Sequence, residues 1–198
     1  MAKGKIAERV RGGRWEELYR KAPEHDIPWE AGRPSPELMA LVERGEVKPG
    51  RALDLGCGLG TNAIYLAGQG FDVWGLDIAP SALRRARKRA QEAGTRVHWI
   101  EGDARKLPLA SGAVDFIYDR GCLHHQEGTD SLTYVAEVTR VLRSGGRYQL
   151  SAFTSRFSAE ELERLFRHGF KVLRSKIVHF QERSGDVKEL HSLFLERR

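Results

Sequence analysis

Residues 54–62 read Asp54-Leu55-Gly56-Cys57-Gly58-Leu59-Gly60-Thr61-Asn62, and this stretch decides the fold. It follows a short strand-like run, Arg51 to Leu55, and opens a helical one, Thr61 to Gly68. Strand, glycine-rich turn and helix in that order form the ligand-binding corner of a parallel α/β sheet. Gly56 and Gly58 let the backbone bend sharply and approach a ligand with no Cβ in the way. The spacing departs from the dinucleotide fingerprint G-x-G-x-x-G, because Thr61 stands where the third glycine would be. Asp54 lies two places before the first glycine. A carboxylate there repels a pyrophosphate but suits the ammonium group of an amino acid.

Working outward, strand and helix alternate. Strands are expected at Arg51–Leu55, Phe71–Asp77, Arg96–Glu101, Val114–Asp119 and Arg147–Ala152. Helices are expected from Ser35-Pro36 through Arg44, at Thr61–Gly68, at Pro80–Ala93 with Gly94 as its stop, at Thr129–Leu142 before Ser144-Gly145-Gly146, and at Ser158–His168. The tail departs from this rhythm. Phe170–Phe180 and Val187–Arg197 are strand-like runs joined by a short polar segment, too short for a parallel crossover, so they should form an antiparallel hairpin. The expected fold class is α/β: a Rossmann-like, doubly wound, mostly parallel seven-stranded sheet with an antiparallel C-terminal hairpin. One domain over 1–198 is expected, with 1–48 as a helical lid segment and 49–198 as the core.

The bulk properties fit. The chain has 198 residues, 40% of them hydrophobic, enough to bury a core without staples. Two cysteines, Cys57 and Cys122, are too few for a disulfide framework. The start of the chain has no signal-like apolar stretch and no later run is long enough to span a membrane, so a cytoplasmic protein is expected. The net charge of +6 raises the question of nucleic acid. The densest basic run, Arg84, Arg85, Arg87, Lys88 and Arg89, reads as the solvated face of a helix and lacks interleaved aromatics, which argues against nucleic acid as a partner.

The ends of the next two strands extend the reading of the loop. Asp77 closes the second strand, 23 positions beyond Asp54, where a carboxylate can accept both ribose hydroxyls. Asp103, in Glu101-Gly102-Asp103-Ala104, can accept from the amino group of adenine. The segments DLGCGLGT, GLDIAPSAL and EGDARKLPL resemble, in order and spacing, successive motifs of the class I S-adenosylmethionine-dependent methyltransferases. The resemblance implies S-adenosylmethionine as cofactor, with Asp54, Gly56 and Gly58 by its methionine part, Asp77 by its ribose, and Asp103 and Ala104 by its adenine. Trp29, Cys57, Gly60, Asn62, Ile78, Gly102 and Asp119 complete the expected cofactor site.

The fourth strand ends Tyr118-Asp119-Arg120-Gly121-Cys122-Leu123-His124-His125, without the proline-rich motif of base N-methylases. Asp119, Arg120, His124 and His125 are the candidate catalytic residues. The two imidazoles are the obvious general bases, since histidine titrates at about pH 6.5. Arg120 suits an anionic substrate, or an ion pair with Glu30 or another carboxylate of the N-terminal extension. Cys122 with the two histidines makes a poor metal set, because adjacent histidines rarely face one ion and no second cluster exists; no metal is expected. Pro28-Trp29-Glu30-Ala31-Gly32-Arg33-Pro34 and Asp119-Arg120-Gly121 resemble a branch that includes thiopurine, thiol, halide and tellurite-resistance methyltransferases. That resemblance implies a small-molecule acceptor with a thiol or other sulfur or oxygen nucleophile. An RNA or protein methyltransferase, a non-enzymatic binder of S-adenosylmethionine and a dehydrogenase are the alternatives, the last weakened by Thr61 and Asp54.

Overall fold

The computed structural model describes residues 13–198. Seven strands form one sheet in the order β3-β2-β1-β4-β5-β7-β6. They are β1 (Arg51–Leu55), β2 (Asp72–Asp77), β3 (His98–Glu101), β4 (Val114–Arg120), β5 (Leu142–Phe153), β6 (Phe170–Gln181) and β7 (Val187–Arg197). The first five run parallel, while β7 inserts antiparallel between β5 and β6. The chain winds β1-β2-β3 to one side and β4-β5 to the other, so the sheet switches direction between β1 and β4. Loops part at such a point and leave a crevice at the carboxyl ends of the strands.

Helices cover both faces. They are α1 (residues 13–21), α2 (Pro36–Glu43), α3 (Thr61–Gly68), α4 (Pro80–Glu92), α5 (Thr129–Val141) and α6 (Ala159–Phe166). Strands β1 and β4 are buried on both sides, which is why their sequences are nearly continuous apolar runs. Leu53, Leu55, Tyr134, Val138, Tyr148 and Phe166 share one core layer. Leu38, Leu41, Ala52, Leu66, Val73 and Phe116 share the layer on the opposite face. Helix α6 begins with a capping box, Ser158 with Glu161. None of the helices in the described residues is long and apolar enough to cross a membrane.

Two strands start two or more residues away from the sequence expectation. Strand β5 starts at Leu142, not Arg147, because Leu142 pairs with Val114 before an irregularity in the register. Strand β3 starts at His98, leaving Arg96 and Val97 outside it.

The basic face of α4 is not simply solvated. Arg85 donates to the carbonyls of Tyr19 and Ala22, at 3.0 and 2.9 Å. Arg89 donates to the Leu59 carbonyl at 3.1 Å and lies 3.5 Å from the buried carboxylate of Glu30. Glu16 accepts from the backbone and hydroxyl of Ser81 at 2.7 and 2.6 Å and pairs with Arg84. Arg84, Arg87 and Lys88 of the run are exposed, and Arg85 and Arg89 are partly buried. The helix clasps residues 13–30, and Tyr19 and Ile27 pack with Leu59, Ala79 and Ala82 in a satellite core. Residues 13–34, part of the expected lid, thus pack against α4 and the satellite core as a wall of the crevice; residues 1–12 lie outside the described part.

Gly60 serves packing. Its φ is +76°, and a Cβ there would stand 2.5 Å from Cη2 of Trp99 and 3.0 Å from Cβ of Ala86. The Trp99 indole is wedged between Gly60 and Gly75. Gly60→Ala should therefore lower stability by about 1–3 kcal/mol through overpacking alone. In a double-mutant cycle with Trp99→Leu, denaturant melts should show coupling above about 1 kcal/mol. Additive effects would show that the indole is not what requires glycine.

Candidate active site

The crevice at the switch point is a cavity of about 290 Å³. Its floor is the glycine loop, with Gly56, Cys57, Gly58, Thr61 and Asn62. One side carries Asp77, Ile78, Gly102, Asp103 and Ala104 from the ends of β2 and β3. The other carries Arg120, Cys122, His124 and His125 from the turn after β4. Trp15, Tyr19, Trp29 and Glu30 close it from the N-terminal segment, and Phe180, Glu182 and Leu190 from the hairpin. Thirteen of the sixteen residues singled out from the sequence thus share one wall; Asp54, Gly60 and Asp119 do not.

Asp77 is the hub of the floor. Its Oδ2 accepts from the Gly58 N–H at 2.8 Å and its Oδ1 from the Ala79 N–H at 2.9 Å. Burial raises its pKa, and these backbone N–H groups oppose the rise. Gly58, at φ +54°, admits no side chain, since a Cβ would lie 2.8 Å from the Tyr19 hydroxyl. That hydroxyl accepts from Nε1 of Trp29 at 3.1 Å. The glycine therefore makes room for the aromatic wall. Asn62 turns its Oδ1 to the Ser35 N–H at 3.0 Å. Asp103 is gripped by Arg105, whose backbone N–H donates to Oδ1 at 2.8 Å and whose Nε donates to both oxygens at 2.9 and 3.0 Å. Arg105 also pairs with Asp130 at 3.0 Å.

Three expected site residues sit behind the wall. Gly60 faces Trp99. Asp54 is buried under the loop; burial first, then Asp119 and Asp77, push its pKa well up, and its Oδ2 has no hydrogen-bond partner. Asp119 is fully enclosed and held by four donors. They are the N–H groups of Cys122 and Leu123, at 2.7 and 3.1 Å, and the hydroxyls of Tyr134 and Tyr148, at 2.6 and 3.2 Å. Burial lifts its pKa to about 6. Asp119 thus braces the turn that carries Cys122 to His125 and does not reach the cavity. Burial also pushes the thiols of Cys57 and Cys122 well up, so neither supplies a thiolate at neutral pH.

The expected Arg120–Glu30 pair does not form. Glu30 is spent on the Gly32 N–H and the Thr61 hydroxyl, both at 2.8 Å, and on Arg89. Arg120 instead lies over the Phe180 ring, 4.2 Å from its centroid. Sequence reasoning missed Phe180, Leu190, Phe153 and Arg105. The first three reach the cavity from β5 and the hairpin, and nothing near the motifs signals them. Arg105 had a local signal, standing two places after Asp103. Among the described residues no group of three or more histidines, cysteines or carboxylates could hold a metal.

Comparison with known proteins agrees with this geometry. Residues 52–146 match the family described as "Methyltransferase domain". The chain is similar to the 2-heptyl-1-hydroxyquinolin-4(1H)-one methyltransferase of Mycobacteroides abscessus, 34% identical over 144 residues, covering 70% of this chain and 63% of that protein. The match thus spans less than two thirds of that relative. An uncharacterized methyltransferase of Schizosaccharomyces pombe is 31% identical over 116 residues, covering 59% of this chain and 79% of the relative. A solved structure described as "Conversion of a Disulfide Bond into a Thioacetal Group during Echinomycin Biosynthesis" shares the fold, with a TM-score of 0.82 at 24% identity over 94% of this chain and 92% of that one. The fold and strand-end site define a Rossmann-like methyltransferase domain. The chain belongs to the class I S-adenosylmethionine-dependent methyltransferases.

The residues fit that family's cofactor: a glycine loop no Cβ can enter, with carboxylates on the cavity wall at successive strand ends. Asp77→Ala should weaken binding of S-adenosylhomocysteine at least about ten-fold, the size of one hydrogen bond to a charged group. It should also lower the melting temperature, since Gly58 and Ala79 lose their acceptor. Calorimetric titration checks the first effect; unchanged affinity in a folded variant would remove Asp77 from the site.

Proposed function

We propose that the chain transfers a methyl group from S-adenosylmethionine to an ionised oxygen or sulfur of a small, largely apolar acceptor. The observation that carries this is Arg120. Its guanidinium lines the cavity over Phe180 and has no carboxylate partner among the described residues. Of the three arginines that line the cavity, Arg105 is held by Asp103 and Asp130, while Arg33 and Arg120 have no carboxylate partner among the described residues, and of these two Arg120 is the one that lies over Phe180. A half-buried cation beside apolar Phe153, Phe180 and Leu190 suits an anion with an apolar body.

Asp77 would hold the ribose hydroxyls, and Ile78 with Gly102, Asp103 and Ala104 would flank the adenine. Gly56, Cys57 and Gly58, with Trp29 and Asn62 nearby, would border the methionine part. When bound, S-adenosylmethionine supplies a sulfonium methyl that is already electrophilic. The chain's own tasks are to align the acceptor and to exclude water, the second through Trp15, Tyr19, Trp29 and the hairpin. The quinolone relative is named for a ring bearing a hydroxyl group, which is an acceptor of this kind. The Pro28–Pro34 and Asp119–Gly121 motifs support placement in the small-molecule branch, where thiols are equally suitable because they ionise at about pH 8.5. An RNA acceptor is less supported, because α4 spends Arg84, Arg85 and Arg89 on internal partners.

Release of S-adenosylhomocysteine should be measured with thiols, phenols, carboxylic acids and the hydroxyquinolone, without any macromolecule present. At least one acidic acceptor should turn over. Arg120→Ala should then cut kcat/KM for it about ten-fold or more, with S-adenosylhomocysteine affinity held. No turnover across the panel would contradict the acceptor class, and unchanged kcat/KM in the variant would remove Arg120 from acceptor binding.

A further inference from the structure

The turn after β4 carries two adjacent histidines, and the structure distinguishes them. His124 is buried and stacks on Phe153, with centroids 4.1 Å apart and rings 19° from parallel. Its Nδ1 accepts from the backbone N–H of Phe153 at 3.3 Å. An imidazole nitrogen that accepts a hydrogen bond carries no proton, so the proton of the neutral ring sits on Nε2. Nε2 has no partner among the described residues, yet is not among the sealed, unpartnered polar atoms, so it opens to the cavity that His124 lines.

We propose that His124 is a positioning residue, fixed by Phe153 as the Nε2–H tautomer, which donates that N–H to the acceptor's ionised atom, so that the acceptor must lose its proton to water before it binds. This rests on the methyl-transfer reading of the site and narrows its substrates to groups acidic enough to ionise unaided. The electron pair of the acceptor's anion forms the new bond to the methyl carbon while the carbon–sulfur bond breaks and its pair stays on sulfur. No proton moves in that step, so no protein base is required.

The other titratable groups of the cavity agree. Asp77 is held by two backbone N–H groups, Asp103 by Arg105, and Glu30 by Gly32, Thr61 and Arg89. Glu182 lies 3.8 Å from Lys188. His125 packs edge-on against Trp15 and His124. Around His124 stand His125 on its own turn and Arg156 after β5; no carboxylate is among the groups that shift it. Burial, then His125 and Arg156, lower its pKa to about 3. A group that low stays neutral across the physiological range, so it adds no acid limb to the rate there. The proposal thus gives His124 a donor's role in place of the general base expected from the sequence.

The test reads the tautomer directly. Long-range ¹H–¹⁵N spectra of histidine-labelled full-length protein, assigned with His124→Gln and His125→Gln, should show Nε2 protonated and Nδ1 bare at His124, unchanged from about pH 5.5 to pH 8. A protonated Nδ1, or titration within that window, would overturn the proposal. Turnover gives the second readout, with the fastest acceptor of the panel. His124→Gln, whose amide nitrogen can stand near Nε2, should keep most of kcat/KM, whereas His124→Asn and His124→Ala should lose about ten-fold or more at every pH. Equal loss in all three would reduce His124 to a structural residue. A panel with no turnover at all would instead defeat the acceptor class, while the spectra still decide the tautomer.

Discussion

Three buried carboxylates at the ends of adjacent parallel strands set the shape of this site. Asp54, Asp77 and Asp119 belong to β1, β2 and β4, and each is used by the backbone that follows a strand. The Ala63 N–H at the start of α3 opposes the rise in the Asp54 pKa, the N–H groups of Gly58 and Ala79 donate to Asp77, and those of Cys122 and Leu123 donate to Asp119. A buried carboxylate must be hydrogen-bonded or neutralised. Here the requirement pins three loops: the glycine loop, the entry to α4 and the turn with the histidines. Burial raises all three pKa values, and at Asp54 the neighbouring carboxylates raise it further. That effect of Asp119 and Asp77 on Asp54 marks a negative potential beneath the glycine loop, and the family's cofactor carries a sulfonium.

The same economy closes the cavity. Helix α4 spends Arg84, Arg85 and Arg89 on Glu16, the Tyr19 and Ala22 carbonyls and Glu30 of the N-terminal segment. That segment meets the tip of the hairpin, where the Arg183 N–H donates to the Pro28 carbonyl at 3.1 Å. Wall and hairpin thus join over a cavity that an open sheet edge would leave to solvent. Arg120 and Phe180 stand at this junction, so acceptor recognition depends on pieces of chain far apart in sequence.

What the sequence disclosed follows from the range of each interaction. The loop from Asp54 to Asn62, the strand-end Asp77 and the antiparallel hairpin are local patterns, and the structure has them where the residues suggest. Gly60 looked like part of a cofactor loop, but its reason is Trp99, on the far side of α4. Asp119 looked catalytic because it ends a strand beside the cavity, but Tyr134 and Tyr148 bury it, and their hydroxyls point at it only once α5 and β5 have packed. His124 looked like a base because its type allows it. The Phe153 N–H that fixes its tautomer arrives from another strand. The basic run in α4 was legible as a helix face, and its carbonyl and carboxylate partners were not.

A crystal structure with S-adenosylhomocysteine tests the central claim most directly. The account predicts both ribose hydroxyls within about 2.5–3.0 Å of the Asp77 carboxylate, the adenine between Ile78 and Ala104, and the homocysteine part over Gly56 to Gly58. A ribose away from Asp77, or a ligand bound outside the switch-point cavity, would contradict it.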